Sequence, residues 1–192
     1  MNPLDDFRVT RALLATTWPR NQCVEHHRNT NHKYGTFDYA VHLWMVQDYA
    51  KSILQMSNIQ VHLTDQAMQD ILVACCAHDL IEDCRLTYND VKEQFGKTVA
   101  DITYALTNEK GKTRAERANE KYYKEMVKVP FAVFVKLCDR AANVTFAIRE
   151  SKSDMWMKYI NEYAKFKELL YNEQSPQFFL HKPMWDILDN LH

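Results

Sequence analysis

Glycine is scarce in this chain, with three in 192 residues at positions 35, 96 and 111. Runs of alternating apolar and polar residues are nearly absent too, which argues against sandwiches, barrels and other hairpin-rich folds. An excess of one charge is also missing. Lys plus Arg number 24 and Asp plus Glu 25, a formal net charge of −1, and the two signs are mixed along the sequence. The broad basic field that duplex nucleic acid requires is therefore lacking, and no nucleic-acid partner is expected. No window approaches eighteen uninterrupted apolar residues, so no membrane span is expected. Met1-Asn2-Pro3-Leu4-Asp5-Asp6 lacks the charged and apolar regions of a secretory signal, and the reading is a soluble, cytoplasmic protein. The five cysteines, at 23, 75, 76, 84 and 138, make no CxxC pair and no disulfide framework, which fits a reducing compartment.

What is present is helical periodicity. Apolar residues recur at i, i+3 and i+4 throughout, and the fold class expected is all-α. Thr64 caps a helix expected from about Asp65 to Asp83. Thr87 with Asp90 starts a short helix that Gly96 stops, and Thr98 with Asp101 starts the next. Pro130 is placed in the first turn of a helix carrying Phe131-Ala132-Val133-Phe134-Val135-Lys136-Leu137-Cys138. A tail helix from Asp154 has Trp156, Ile160, Tyr163, Phe166, Leu169 and Leu170 on one face, and Pro176 and Pro183 divide off a final short segment. A chain of this size can bury roughly 70% of its unfolded surface, and no repeat, low-complexity tract or linker interrupts it. A single domain over 1–192 is expected, with the C-terminal helices 154–192 packed on the rest.

The most informative run is His78-Asp79-Leu80-Ile81-Glu82-Asp83. At about 100° per residue, His78 stacks on Glu82 and Asp79 on Asp83, so four polar groups share a helix face. The apolar stretch Ile71 to Ala77 leads straight into it, drawing those groups toward a core where unpaired charge is costly and a cation would relieve the cost. His42, in Tyr39-Ala40-Val41-His42-Leu43-Trp44-Met45-Val46, and Asp139 also lie in apolar helices. A histidine in such a place is by itself more often a hydrogen-bonded core residue. Together, two histidines and two aspartates suit a divalent transition metal with room for water.

The order His42, His78-Asp79, Asp139 is the H…HD…D signature, and the chain is identified by it as resembling the HD phosphohydrolase superfamily. The His-Asp-x-x-Glu-Asp run, the segment from Thr87 to Gly96, and Lys136-Leu137-Cys138-Asp139-Arg140-x-x-Asn143 narrow the resemblance. They match the hydrolase domain of RelA/SpoT-type alarmone enzymes and the small alarmone hydrolases over about residues 28–150. The resemblance implies an HD-domain helical bundle with His42, His78, Asp79 and Asp139 as ligands of manganese and Glu82 and Asp83 as acid/base groups. It implies a nucleotide contact for Asn143. The activity implied is metal-dependent removal of the 3′-pyrophosphate from guanosine tetra- or pentaphosphate.

The segment Arg28 to Tyr39 stands where that family has a basic pair and a Gly-x-Pro-Tyr turn. Tyr39 matches, the proline does not, and Gly35 is displaced by one residue. Arg28, His32 and Lys33 are candidate phosphate or guanine contacts, or else a solvated basic loop. Lys112 and Arg114 are candidates in a second basic cluster, where a charged helix start would read identically. Arg140 can equally pair with a carboxylate and hold its helix. Tyr122-Tyr123 can stack on a base, although packing is the commoner role. Cys75-Cys76 are expected as small core residues; Trp156, Phe166 and Trp185 as the buried side of the tail; and His26-His27 without a catalytic role. Competing activities are an HD-type phosphatase acting on nucleoside monophosphates or NADPH, and a guanine-nucleotide sensor without turnover. A homo-oligomer is compatible with the sequence.

Overall fold

The computed structural model describes residues 3–108 and 113–192. The first helices are α1 Pro3–Ala15 and α2 Thr17–Asn29, followed by the antiparallel ribbon β1 Lys33–Tyr34 and β2 Phe37–Asp38. Next come α3 Ala40–Leu54, α4 Ser57–Gln60, α5 Asp65–Ala77, α6 Leu80–Asp83, α7 Tyr88–Phe95 and α8 Lys97–Leu106. The chain closes with α9 Arg114–Arg117, α10 Glu120–Met126, α11 Ala132–Arg149, α12 Ser153–Leu170 and α13 Phe178–Leu191. This is an all-α bundle, and the one sheet among the described residues has two strands.

At the centre, α11 packs on α3 and α13, and α5 packs on α3, α1, α8 and α2. The apolar run of α5 explains its place: Ile71, Leu72, Ala74, Cys75, Cys76 and Ala77 are fully buried. Each Leu or Ile so buried contributes roughly 1.5–3 kcal/mol. Phe134, Val135, Leu137 and Cys138 do the same for α11. Arg8 fastens α1 to the start of α5, its guanidinium reaching Asp65 at 2.9 Å and the carbonyls of Gln60 and Leu63. No described helix is long and apolar enough to cross a membrane.

Local signals behave as expected where the partner is three residues away. Thr64 accepts from the Ala67 N–H, and Thr87 and Asp90 form a reciprocal capping box. Gly96 ends α7 and opens α8 at φ 90°, ψ 167°, a conformation open in practice only to glycine. Because Gly96 itself caps α8, Thr98 lies one residue inside that helix rather than starting it. Pro130 precedes its helix. It sits second in a turn closed by Ala132 N–H to Val129 O at 3.2 Å, with Phe131 third at φ 67°, ψ −10°, a type II pattern in which glycine is usual. The Gln177 side chain accepts from the Phe131 N–H at 2.8 Å and helps hold that residue. At the C-terminus α13 runs through Pro183 instead of being divided by it. Trp156 is 37% exposed, whereas Phe166 and Trp185 are buried, so the buried side of the tail holds two of the three expected aromatics.

Candidate metal centre

The helix expected to run from Asp65 to Asp83 is two helices. It stops at Ala77, and α6 begins at Leu80 after a turn in which Asp79 sits at φ −100°, ψ 0°. The His78 ring causes part of this: its Nδ1 donates to the Cys75 carbonyl at 2.9 Å, satisfying one of the acceptors that a helix end leaves open. The same bond puts the ring proton on Nδ1 and leaves the Nε2 lone pair facing the space between α3, α5 and α11.

Four side chains converge on that space. His42 Nε2 lies 3.2 Å from His78 Nε2 and 3.4 Å from Asp139 Oδ1, and His78 Nε2 is 3.7 Å from the same oxygen. Asp79 Oδ2 stands 2.9 Å from His78 Nε2 and 3.7 Å from His42 Nε2. His42, His78 and Asp139 form a buried group able to hold a metal ion. Donor atoms about 2.1 Å from a shared cation lie roughly 3.0–3.4 Å apart, so the spacing fits one divalent ion. The electrostatics agree. Burial makes His78 less basic, but the charges of Asp79 and Asp139 more than reverse this and raise its pKa to about 9. A proton on Nε2 and a cation therefore compete for one place.

The carboxylates are held from outside the cluster. Burial disfavours ionised Asp139, yet Lys136, whose Nζ donates to Oδ2 at 2.8 Å, keeps it well below the usual range. Asn143 Nδ2 donates to Asp139 Oδ1 at 2.6 Å, and Asn143 Oδ1 accepts from the Tyr34 hydroxyl at 3.0 Å. Tyr39 donates its hydroxyl to Asp79 Oδ2. Burial and the Asp79 charge push the Tyr39 hydroxyl well above its ordinary pKa, so it keeps the proton it donates.

Beyond the cluster, Asp83 is half-buried, and its carboxyl is pushed up to about 7 by burial and then by the charges of Asp79 and Glu82. Exposed Glu82 takes both N–H bonds of the Asn108 amide, at 3.0 and 2.9 Å. His32 Nδ1 lies 3.7 Å from Asp83 and 3.0 Å from the Nδ1 of buried His27, and both rings stack on Tyr39 at 4.1 Å. Lys33 is exposed on β1. Arg28 is exposed and bound to Asp38 at 2.9 Å and Glu25 at 3.0 Å. Lys112 lies outside the described residues, as does the Arg114 side chain, although α9 begins at Arg114. Buried Arg140 pairs with Glu162 at 3.1 Å and donates to the Tyr159 carbonyl. Tyr122 and Tyr123 are buried, with the Tyr122 hydroxyl on the Leu106 carbonyl. Cys75 and Cys76 lie in the core.

Sequence reasoning assigned no role at the site to Tyr34, Lys136, His27 or Asn108. Lys136 was recoverable, since it stands three residues before Asp139 on one helix. For Tyr34, His27 and Asn108 no local pattern points to the site.

The described helices form an all-α bundle that brings a buried His/Asp cluster together between three of them. The chain resembles the RelA/SpoT-type hydrolases. It is 29% identical over 107 residues to the guanosine-3′,5′-bis(diphosphate) 3′-pyrophosphohydrolase of Aquifex aeolicus (strain VF5), a match covering 52% of this chain and 15% of that protein. It is 28% identical over 137 residues to the zebrafish (Danio rerio) guanosine-3′,5′-bis(diphosphate) 3′-pyrophosphohydrolase MESH1, covering 70% of this chain and 68% of that one. Among solved structures, one described as a metazoan ortholog of SpoT that hydrolyses ppGpp superposes with a TM-score of 0.56 at 17% identity, over 90% of this chain and 94% of the other. That last likeness speaks for the fold. No family model matches the chain.

Proposed function

We propose that this protein is a metal-dependent phosphohydrolase that removes the 3′-pyrophosphate of guanosine tetra- or pentaphosphate, releasing GDP or GTP and pyrophosphate. The observation that carries the reading is the convergence of His42, His78, Asp79 and Asp139 within one turn of a carboxyl poised near neutrality, in a chain whose relatives bear the names given above. The assigned ligands are those four residues, and manganese is the ion that the family resemblance implies, one that a mixed nitrogen and oxygen set can hold. Such an ion supplies neutralisation of phosphate charge and acidification of a water molecule.

The remaining work belongs to side chains. Cleavage breaks the bond from phosphorus to the 3′ oxygen while water forms a new bond to phosphorus, so the sugar oxygen must receive a proton. Asp83, with a pKa of about 7, is the group suited to hold and deliver that proton. Glu82, oriented by Asn108, takes the proton from the attacking water. Asn143 aligns Asp139 and borders the nucleotide. His32, Lys33, Lys112 and Arg114 are assigned to the phosphates, and Arg28 at most to a weak contact, since Asp38 and Glu25 already hold it. The protein is expected to act in the cytoplasm, as one domain, on a small-molecule substrate.

The test is product analysis of the manganese-loaded protein with guanosine tetraphosphate, NADPH and nucleoside monophosphates. Pyrophosphate from the first is expected. Orthophosphate from either of the others, without pyrophosphate release, would replace the assignment, and tight nucleotide binding with no product would make the protein a sensor.

A further inference from the structure

One carboxylate of the metal centre, Asp79, accepts from a hydroxyl at the end of a short ribbon, and a second, Asp139, is tied to another hydroxyl of that ribbon through Asn143. Tyr34 closes β1, and Tyr39 follows β2 directly, five residues away. The turn between the strands is Gly35-Thr36, with Gly35 at φ 63°, a two-residue hairpin loop with its glycine in the left-handed region. Asp38 fixes the exit by accepting from the Ala40 N–H at 2.9 Å while paired with Arg28. The ribbon thus points one hydroxyl at Asp79 and the other, through the Asn143 amide, at Asp139.

The histidines show why this matters. His78 is oriented by a hydrogen bond to the Cys75 carbonyl, whereas the buried Nδ1 of His42 has no hydrogen-bond partner among the described residues. A ring without such a bond is free to rotate unless its neighbours prevent it. Those neighbours are the same two tyrosines: Tyr34 lies 4.7 Å from the His42 ring centre at 40°, and Tyr39 5.2 Å away at 60°. Tyr34 is backed in turn by Phe146 at 4.0 Å, and Tyr39 by His27 and His32. One carboxylate oxygen has lone pairs for both a cation and a hydroxyl donor, so Tyr39 holds Asp79 without displacing it as a ligand.

We propose that Tyr34 and Tyr39 are positioning residues, and that the ribbon from Lys33 to Tyr39 clamps His42, Asp79 and Asp139 into the geometry that binds the divalent ion. The inference rests on the metal reading of the site and adds to it which residues set its affinity. Tyr39 acts directly on a ligand and Tyr34 through Asn143, so Tyr39 has the larger effect.

The test uses full-length Tyr39→Phe, Tyr34→Phe and the double variant. Manganese affinity is measured by calorimetry, and the visible absorption band of the cobalt-loaded protein reports ligand geometry. Tyr39→Phe is expected to bind about 10- to 100-fold more weakly with a shifted cobalt band, and Tyr34→Phe less than about tenfold more weakly. Helicity should stay at the parent's value, and the metal-free melting temperature should fall by only a few degrees, about what one lost hydrogen bond costs. Leu188→Ala, a core truncation in α13, serves as control: it should lower the melting temperature and leave the cobalt band in place. Parent-like affinity and band in both tyrosine variants overturns the proposal, even if turnover falls. Failure of the unsubstituted protein to bind either metal overturns the site reading along with it.

Discussion

The buried cluster between α3, α5 and α11 and the basic ribbon edge at its border obey opposite rules. His42, His78 and Asp139 are shut away from water, so each must find a partner or carry a large cost, and the surroundings constrain them tightly. Arg28 and Lys33 stand in solvent, and Arg28 is already satisfied by Asp38 and Glu25. A buried polar residue therefore discloses its purpose by the company it requires. An exposed one is free to trade partners, and its position alone says little.

Asp79→Ala tests the buried side most severely. Turnover should fall by at least about 10³-fold, and the rise in melting temperature on adding manganese should disappear while far-UV dichroism keeps its helical shape. Metal-dependent turnover near the parent rate would show that the buried residues are not the ligand set.

Asp83→Asn probes the boundary between the two regions and should separate activity from stability. Activity falls by roughly 10²- to 10⁴-fold, and the alkaline limb of the pH–rate profile is lost. The stability effect has the opposite sign. With its folded pKa raised from 3.8 to about 7, Asp83 favours the folded state below about pH 4, and this contribution is lost as pH rises through 7. In chelator, the Asn variant should match the parent near pH 4 and exceed it at pH 8 by on the order of 1 kcal/mol, after allowance for the solvent-exposed third of the side chain. Urea titration at the two pH values measures this, and a variant less stable than the parent at pH 8 would contradict the burial argument.

Arg28→Ala, on the exposed side, should change kcat and KM by less than about threefold. A larger rise in KM that weakens with salt would mean that Arg28 leaves Asp38 for a phosphate, and the contrast between the regions would narrow.

The legible features share short range. Thr64, and Thr87 with Asp90, are caps whose partners lie within one turn. His42, His78-Asp79 and Asp139 stood out because metal-type residues in apolar helices are chemically anomalous wherever the chain later puts them. The break after Ala77 was hidden because the ring that caps that helix belongs to a residue whose own pattern reads as helical. Thr98 and Pro130 misled by one or two positions, since Gly96 and the turn at Phe131 supplied competing boundaries nearby.

Residue order and type alone pointed to a helical chain, to the apolar faces that are buried and to metal-type side chains that need partners inside a core, because burial of apolar surface and the cost of unpaired charge act on every residue wherever it ends up. Lys136 and Asn143 stand within one turn of Asp139, but which groups hold the rest of the cluster had to await folding. Tyr34, Tyr39, Lys136 and Asn143 orient their partners by bonds of about 3 Å or less. For the two tyrosines those bonds reach across 40 and 109 residues of chain, and contacts of that range exist only after the helices have packed.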